Sequence, residues 1–164
     1  MIRRLLYVVV PLLCIAGATA WWYSPARAVE RRTETLLTHL SIQPHGGVAS
    51  RQAVVYALDG MLAPQVAFSS PDEPDANGEF SSQEIAAFFS WLAEHSQGTK
   101  FEREQIHAVR VQGDHAEVDL TIHAQISMPQ RDLIHGRYRV QLDWVHDDGR
   151  WVLISAKGQK VKTT

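Results

Sequence analysis

Residues 111–123 read VQGDHAEVDLTIH. Gly113-Asp114 is a two-residue turn signal, and beyond it the side chains alternate. Val118, Leu120 and Ile122 fall on one side of a strand, and His115, Glu117, Asp119, Thr121 and His123 on the other. The period of two persists downstream: Tyr138, Val140, Leu142 and Trp144 form an apolar face, His135, Arg137, Arg139, Gln141 and Asp143 a polar one, and Asp148-Gly149 marks another tight turn. From Lys100 onward the chain reads as four antiparallel strands, with a looser connection at Met128-Pro129-Gln130-Arg131. A sheet with one polar and one apolar face must be covered on the apolar side.

The cover lies upstream. Ser24-Pro25 is an N-cap followed by proline at the first helical position, and Val29, Leu36, Leu37 and Leu40 recur at helical spacing, which predicts a first helix over Pro25 to Ser41. Gln43-Pro44-His45-Gly46-Gly47 breaks it, and Ser50 caps a second helix with the stripe Val54, Val55, Leu58 and Leu62. A short strand at Val66 to Phe68 precedes an acidic loop, Ser69 to Glu79. Ser81-Ser82-Gln83-Glu84 is a capping box that opens a third helix, with Ile85, Phe88, Phe89 and Leu92 on its apolar face and Gly98 as its stop. The expected architecture is α+β: three helices packed on a curved four- to five-stranded antiparallel sheet, occupying residues 25–164.

Residues 1–24 read as a separate unit. Arg3-Arg4 precede an apolar run from Leu5 to Ala20 that ends in Trp21-Trp22-Tyr23. As a helix, Leu5 to Tyr23 would be about 28 Å long, close to the hydrocarbon thickness of a bilayer. The expectation is a transmembrane signal-anchor in the inner (cytoplasmic) membrane, crossing once, with the C-terminal domain on the periplasmic or extracytoplasmic side. A cleaved signal peptide is the alternative, because Ala18-Thr19-Ala20 and Ala26-Arg27-Ala28 both have the small-x-small form.

Composition narrows the function classes. The 164 residues suit one domain, and a net charge of −2 lacks the basic excess that nucleic acid demands. Residues 1–29 hold three arginines and no acid, leaving thirteen basic against eighteen acidic side chains beyond them. Cys14 is the single cysteine, which excludes an internal disulfide framework and a multi-thiolate zinc site. There is no Gly-rich phosphate loop and no Gly-x-Ser-x-Gly, and no metal or cofactor is expected. His123 and His135 share the polar face of adjacent strands, but two imidazoles without a third ligand make a poor zinc site. Residues 73–84 carry calcium-loop spacing, with Gly78 and Glu84 at the sixth and twelfth positions; Glu73 first and Pro74 second depart from that pattern, and the question stays open.

The element order, together with Gly78-Glu79-Phe80-Ser81 leading into Glu84-Ile85, the hairpin from Val111 to Val118, and Asp148-Gly149-Arg150-Trp151, resembles the nuclear transport factor 2-like superfamily over residues 28 to 161. That superfamily includes ketosteroid isomerases and polyketide cyclases. The resemblance implies a conical cavity between helices and concave sheet, used by some members for catalysis and by many for binding or assembly alone. It also implies where an isomerase would keep its general base, an aspartate immediately before a proline; the matching dipeptide is Ser70-Pro71, and a serine has no pKa suited to that task. The tyrosine that such enzymes carry on the first helix has no counterpart here.

The Gly113-Asp114 turn sets a register in which His107, Gln105 and Arg103 lie opposite Leu120, Ile122 and Ala124, aiming three polar groups at the helix-covered face. Arg103, Gln105 and His107 are therefore the expected ligand contacts, with Tyr138 and Trp144 as apolar wall. An inward arginine calls for an anionic ligand, water, or a carboxylate such as Asp59. The function expected is a non-catalytic extracytoplasmic binding or assembly module for a small apolar or anionic ligand or an envelope protein partner. The alternative is an exported isomerase- or cyclase-like enzyme acting on an apolar carbonyl compound. Self-association is expected through Val145, Val152, Ile154 and Ala156 on the outer side of the sheet.

Overall fold

The computed structural model describes residues 24–42, 53, 55–58, 60–130 and 132–161. Helix α1 (Pro25–Leu40) opens as its sequence dictates, with Ser24 Oγ accepting from the Arg27 amide at 3.4 Å and Pro25 in the first turn. It buries Val29, Thr33, Leu36 and Leu37. Its far end is fastened to the sheet: Thr99 Oγ1 donates to the Leu40 carbonyl at 2.5 Å and accepts from the Ile42 amide at 2.8 Å. Ser41 Oγ accepts from the Phe101 amide at 2.9 Å. Halfway along, Arg32 donates from Nε to the Trp151 carbonyl at 3.1 Å and from a terminal nitrogen to the Gly60 carbonyl. One side chain thus joins α1, the last strand and the turn that precedes the first.

The strands are β1 (Leu62–Ser69), β2 (Gly78–Ser81), β3 (Gly98–Gln112), β4 (His115–Ser127), β5 (Asp132–Asp147) and β6 (Arg150–Lys160), and helix α2 (Ser82–His95) lies between β2 and β3. They form one sheet in the order β2-β1-β6-β5-β4-β3, antiparallel except for β1 beside β6. Antiparallel long strands follow the tight turns at Gly113 (φ 60°) and at Asp148 and Gly149 (φ 45° and 76°), conformations that glycine and aspartate tolerate. On the concave face Val118, Leu120, Leu142, Trp144 and Leu153 pack against Val29, Leu36, Leu37, Leu58 and Val66 in the core.

The structure corrects the expected architecture. Among the described residues the sheet has six strands, not four or five. The additional strand, β2, lies partly within the stretch read as acidic loop, where a 3-10 turn at Pro74–Ala76 and a 2.5 Å bond from the Ser70 amide to Asn77 Oδ1 return the chain to β1. Four residues show no readable alternation, so the strand exists by pairing and not by pattern. Residues 53 and 55–58 are helical, but Leu62, expected on that helix, begins β1 and pairs with Leu153. No helix among the described residues is long and apolar enough to cross a membrane. The anchor read at residues 5–23 lies outside the described residues.

The capping box of α2 is formed: Glu84 Oε2 accepts from the Ser81 amide and hydroxyl at 2.8 Å each, and these bonds hold the carboxyl below the usual range. Residues 78–81 pair with β1, and Glu84 is already engaged, so the 73–84 stretch is turn, strand and cap, not a loop wrapped around an ion. Helix α2 sits over β1 and β2 at the edge of the sheet, which narrows its buried stripe. Ile85 and Leu92 are buried, whereas Phe88, expected beside them, is 51% exposed.

Candidate functional site

Two irregularities in β3 decide which side chains reach the concave face. The hairpin starts as expected, with Val111 opposite Ala116 and Val109 opposite Val118. The register then slips between Ile106 and Ala108, and again between Arg103 and Gln105. Each extra residue reverses the alternation for the rest of the strand beyond it. After the first slip Ile106 takes the inward place opposite Leu120, and Gln105 goes to the polar face opposite Thr121. His107 sits on the bulge and shares a 2.8 Å hydrogen bond between its Nε2 and Thr121 Oγ1, also on the polar face. The second slip restores the parity, so Arg103 stands opposite Ile122 on the apolar side. Of the three expected contacts, only Arg103 faces inward.

Its charge is met from α1. A terminal nitrogen of Arg103 lies 2.7 Å from Glu34 and 3.7 Å from Glu30. Glu30 and Glu34 are one helical turn apart, so both carboxylates reach the same guanidinium. These partners were legible in the sequence as an acidic pair at i, i+4, whereas the carboxylate expected there, Asp59, lies outside the described residues. The Arg103 side chain is 40% exposed, so the cluster is a rim feature, not a buried charge.

Tyr138 and Trp144 share the inward face of β5 with different roles. Trp144 is fully buried core beside Leu153, and its Nε1 has no hydrogen-bond partner among the described residues. Tyr138 is half-buried at the other end, where Lys160 Nζ lies 6.0 Å from its ring centre. Burial pushes the Tyr138 phenol up, with the charges of Glu73 and Asp72 adding to it. Asp72 Oδ2 accepts from the Lys160 amide at 2.6 Å, which brings the acidic turn to this corner. Phe68 and Phe80 meet edge to face at 5.9 Å and pack on the core from β1 and β2.

Among the described residues, the ionisable side chains on the concave face of β3 to β6 are thus Arg103, paired with Glu34 and Glu30; Tyr138; Lys160 above that ring; and His146, against Trp151 at 5.0 Å. The concave face of the described strands β3 to β6 carries no carboxylate of its own. A groove of about 480 Å³ opens beside the Thr99 clasp, lined by Thr38, Ser41, Gln97, Lys100, Gln125 and Ser127 among others. It holds hydroxyls and amides and one exposed Lys100–Glu102 pair.

The polar face is a ladder of cross-strand ion pairs. Arg137 meets Glu104, Arg110 meets Glu117, and Arg139 grips Asp119 through two bonds of 3.0 and 2.6 Å. The Arg139 bonds hold the Asp119 carboxyl below its usual range, and the nearby charge of His107 acts in the same direction. The expected apolar patch is broken up: a slip between Asp143 and Trp144 places Ser155 opposite Asp143 and turns Ala156 toward the core opposite Leu142, while Val152 is 6% exposed. The conspicuous exposed apolar surface lies instead on α2, where Phe88 stacks on Trp91 at 6.2 Å and Trp91 on His95 at 5.0 Å.

No protein-family sequence model matches the chain, and no curated protein matches it by sequence. Solved structures match by shape. An NTF2-like protein from Cytophaga hutchinsonii superposes with a TM-score of 0.62 at 14% identity, covering 84% of this chain and 99% of that one. A CaMKII hub from S. rosetta gives 0.61 at 21% identity over 84% and 98%. A protein described as having a cystatin-like fold, from Caulobacter vibrioides, gives 0.60 at 14% identity over 82% and 88%. The chain has the nuclear transport factor 2-like fold, and a fold shared at this identity does not assign an activity.

Proposed function

We propose that the domain is a non-catalytic binding or assembly module that works outside the cytoplasm. The observation that carries this reading is the chemistry of the concave face. Proton transfer to or from carbon needs a positioned acid or base. The concave face of the described strands β3 to β6 carries no carboxylate, and the position matching the isomerase base is Ser70. The inward cation, Arg103, is occupied by Glu34 and Glu30. The exposed Phe88-Trp91-His95 stack supports an assembly role, since contiguous exposed aromatics mark contact surfaces. The partner is a second copy of this chain or an envelope protein.

Sedimentation at tens of micromolar, alongside mass spectrometry of co-purified proteins and small molecules, tests the reading. Concentration-dependent association that Phe88→Ser and Trp91→Ser abolish, or stoichiometric co-purification of a partner, is the expected result. Turnover of a steroid-type enone or a polyketide-like substrate by the wild-type protein would overturn it.

A further inference from the structure

We propose that His123 and His135 form a two-nitrogen chelate for a borderline divalent transition-metal ion, of which Cu2+ is held most tightly. The pairing of β4 with β5 sets His123 opposite Arg137 and His135 opposite Gln125, so the two histidines are diagonal neighbours on the polar face. Their ring centres are 5.5 Å apart and their planes nearly perpendicular, at 89°. A metal–nitrogen bond of about 2.0–2.1 Å puts each ring centre about 3.2 Å from a bound ion, and two such rings at a tetrahedral angle stand about 5.2 Å apart. The observed spacing is within a few tenths of an ångström of that figure, and the turn about the Cβ–Cγ bond that would aim each ring is a soft torsion in histidine. Neither imidazole is held by a hydrogen bond among the described residues, and His135 is exposed, so that turn is open to it.

The surroundings neither forbid nor complete the site. Glu102 lies opposite His123 and pairs with Lys100 at 2.8 Å, and Arg137 on the other side is bound to Glu104 at 2.7 Å, so the adjacent charges cancel. No third His, Cys, Asp or Glu joins the pair in a metal-binding group among the described residues, which leaves the other coordination positions to water. Such a set favours metals that accept imidazole readily, in the order that ends in copper. Calcium and magnesium, which take oxygen ligands, are not bound.

Calorimetric titration of Cu2+ into the untagged full chain at pH 7.5, in a buffer without amines, tests the site. The expected result is one tight ion per chain, with His123→Ala and His135→Ala each weakening it by about tenfold or more, as loss of one arm of a chelate does. The double substitution should lose less than the sum of the two single losses, since each single one already forfeits the chelate, and His115→Ala, an exposed histidine on the same face of β4, should change affinity by less than about twofold. Single substitutions that leave the affinity unchanged, or losses that add in the double variant, would overturn the chelate.

Discussion

Replacing Arg32 by methionine isolates the contact that ties the helix layer to the sheet. Arg32 donates to the Trp151 carbonyl on β6 and to the Gly60 carbonyl at the turn into β1. Burial, with the Arg150 charge nearby, lowers its pKa, yet the guanidinium stays charged because an arginine starts far above neutral pH. Methionine keeps most of the apolar stem and removes both donors, so the loss reports hydrogen bonds more than packing. A hydrogen bond with one charged partner contributes about 1.5–3 kcal/mol when shielded; the group is partly solvated, so about 1 kcal/mol each is appropriate, or about 2 kcal/mol in all. For a chain of this length that lowers the melting temperature by about 4–8 °C. Arg32→Lys should recover about half, since one ammonium cannot span two carbonyls on different elements. Thermal denaturation by circular dichroism measures both. A methionine variant that melts within about 1 °C of wild type, or a lysine variant equal to arginine, refutes the bridging role.

Arg103→Met should cost less than about 1 kcal/mol, because its pairs with Glu34 and Glu30 are partly in water, and the cost should shrink further in molar salt; urea titration checks both. Thr33→Val should stabilise by about 1 kcal/mol, since Thr33 Oγ1 is buried with no hydrogen-bond partner among the described residues and a methyl fills the same space; a loss of that size would show that the hydroxyl is bonded. Asp119 has a folded pKa below its unfolded value, so its bond to Arg139 stabilises the fold above about pH 4 and that stabilisation fades as pH falls through the folded pKa. The urea midpoint of the wild type should therefore drop more steeply between about pH 4 and pH 2 than that of Asp119→Asn, and parallel curves would contradict the assignment. Trp144→Ala should cost about 3–5 kcal/mol, because the indole is fully buried; a mild loss would place Trp144 at an open wall instead.

Sequence alone determined what short-range chemistry encodes. Ser24-Pro25 and the Ser81/Glu84 box start helices because their side chains bond the first free amides of the very turn they precede. Gly113-Asp114 and Asp148-Gly149 fix hairpins because few residue pairs adopt those dihedrals, and the period of two then names the buried side of β4 and β5. Tertiary structure decided what pairing alone creates. β2 is a strand because β1 lies beside it. Phe88 is exposed because α2 covers only the sheet edge. The two slips in β3 settle the candidate site: they carry Gln105 and His107 outward and return Arg103 inward to acids on a helix about seventy residues earlier in the chain. A bulge places one residue where alternation would place another, and nothing in the local pattern of Glu104 or His107 marks them as the extra ones, because the partner strand and the helix above it choose where the ladder gives way.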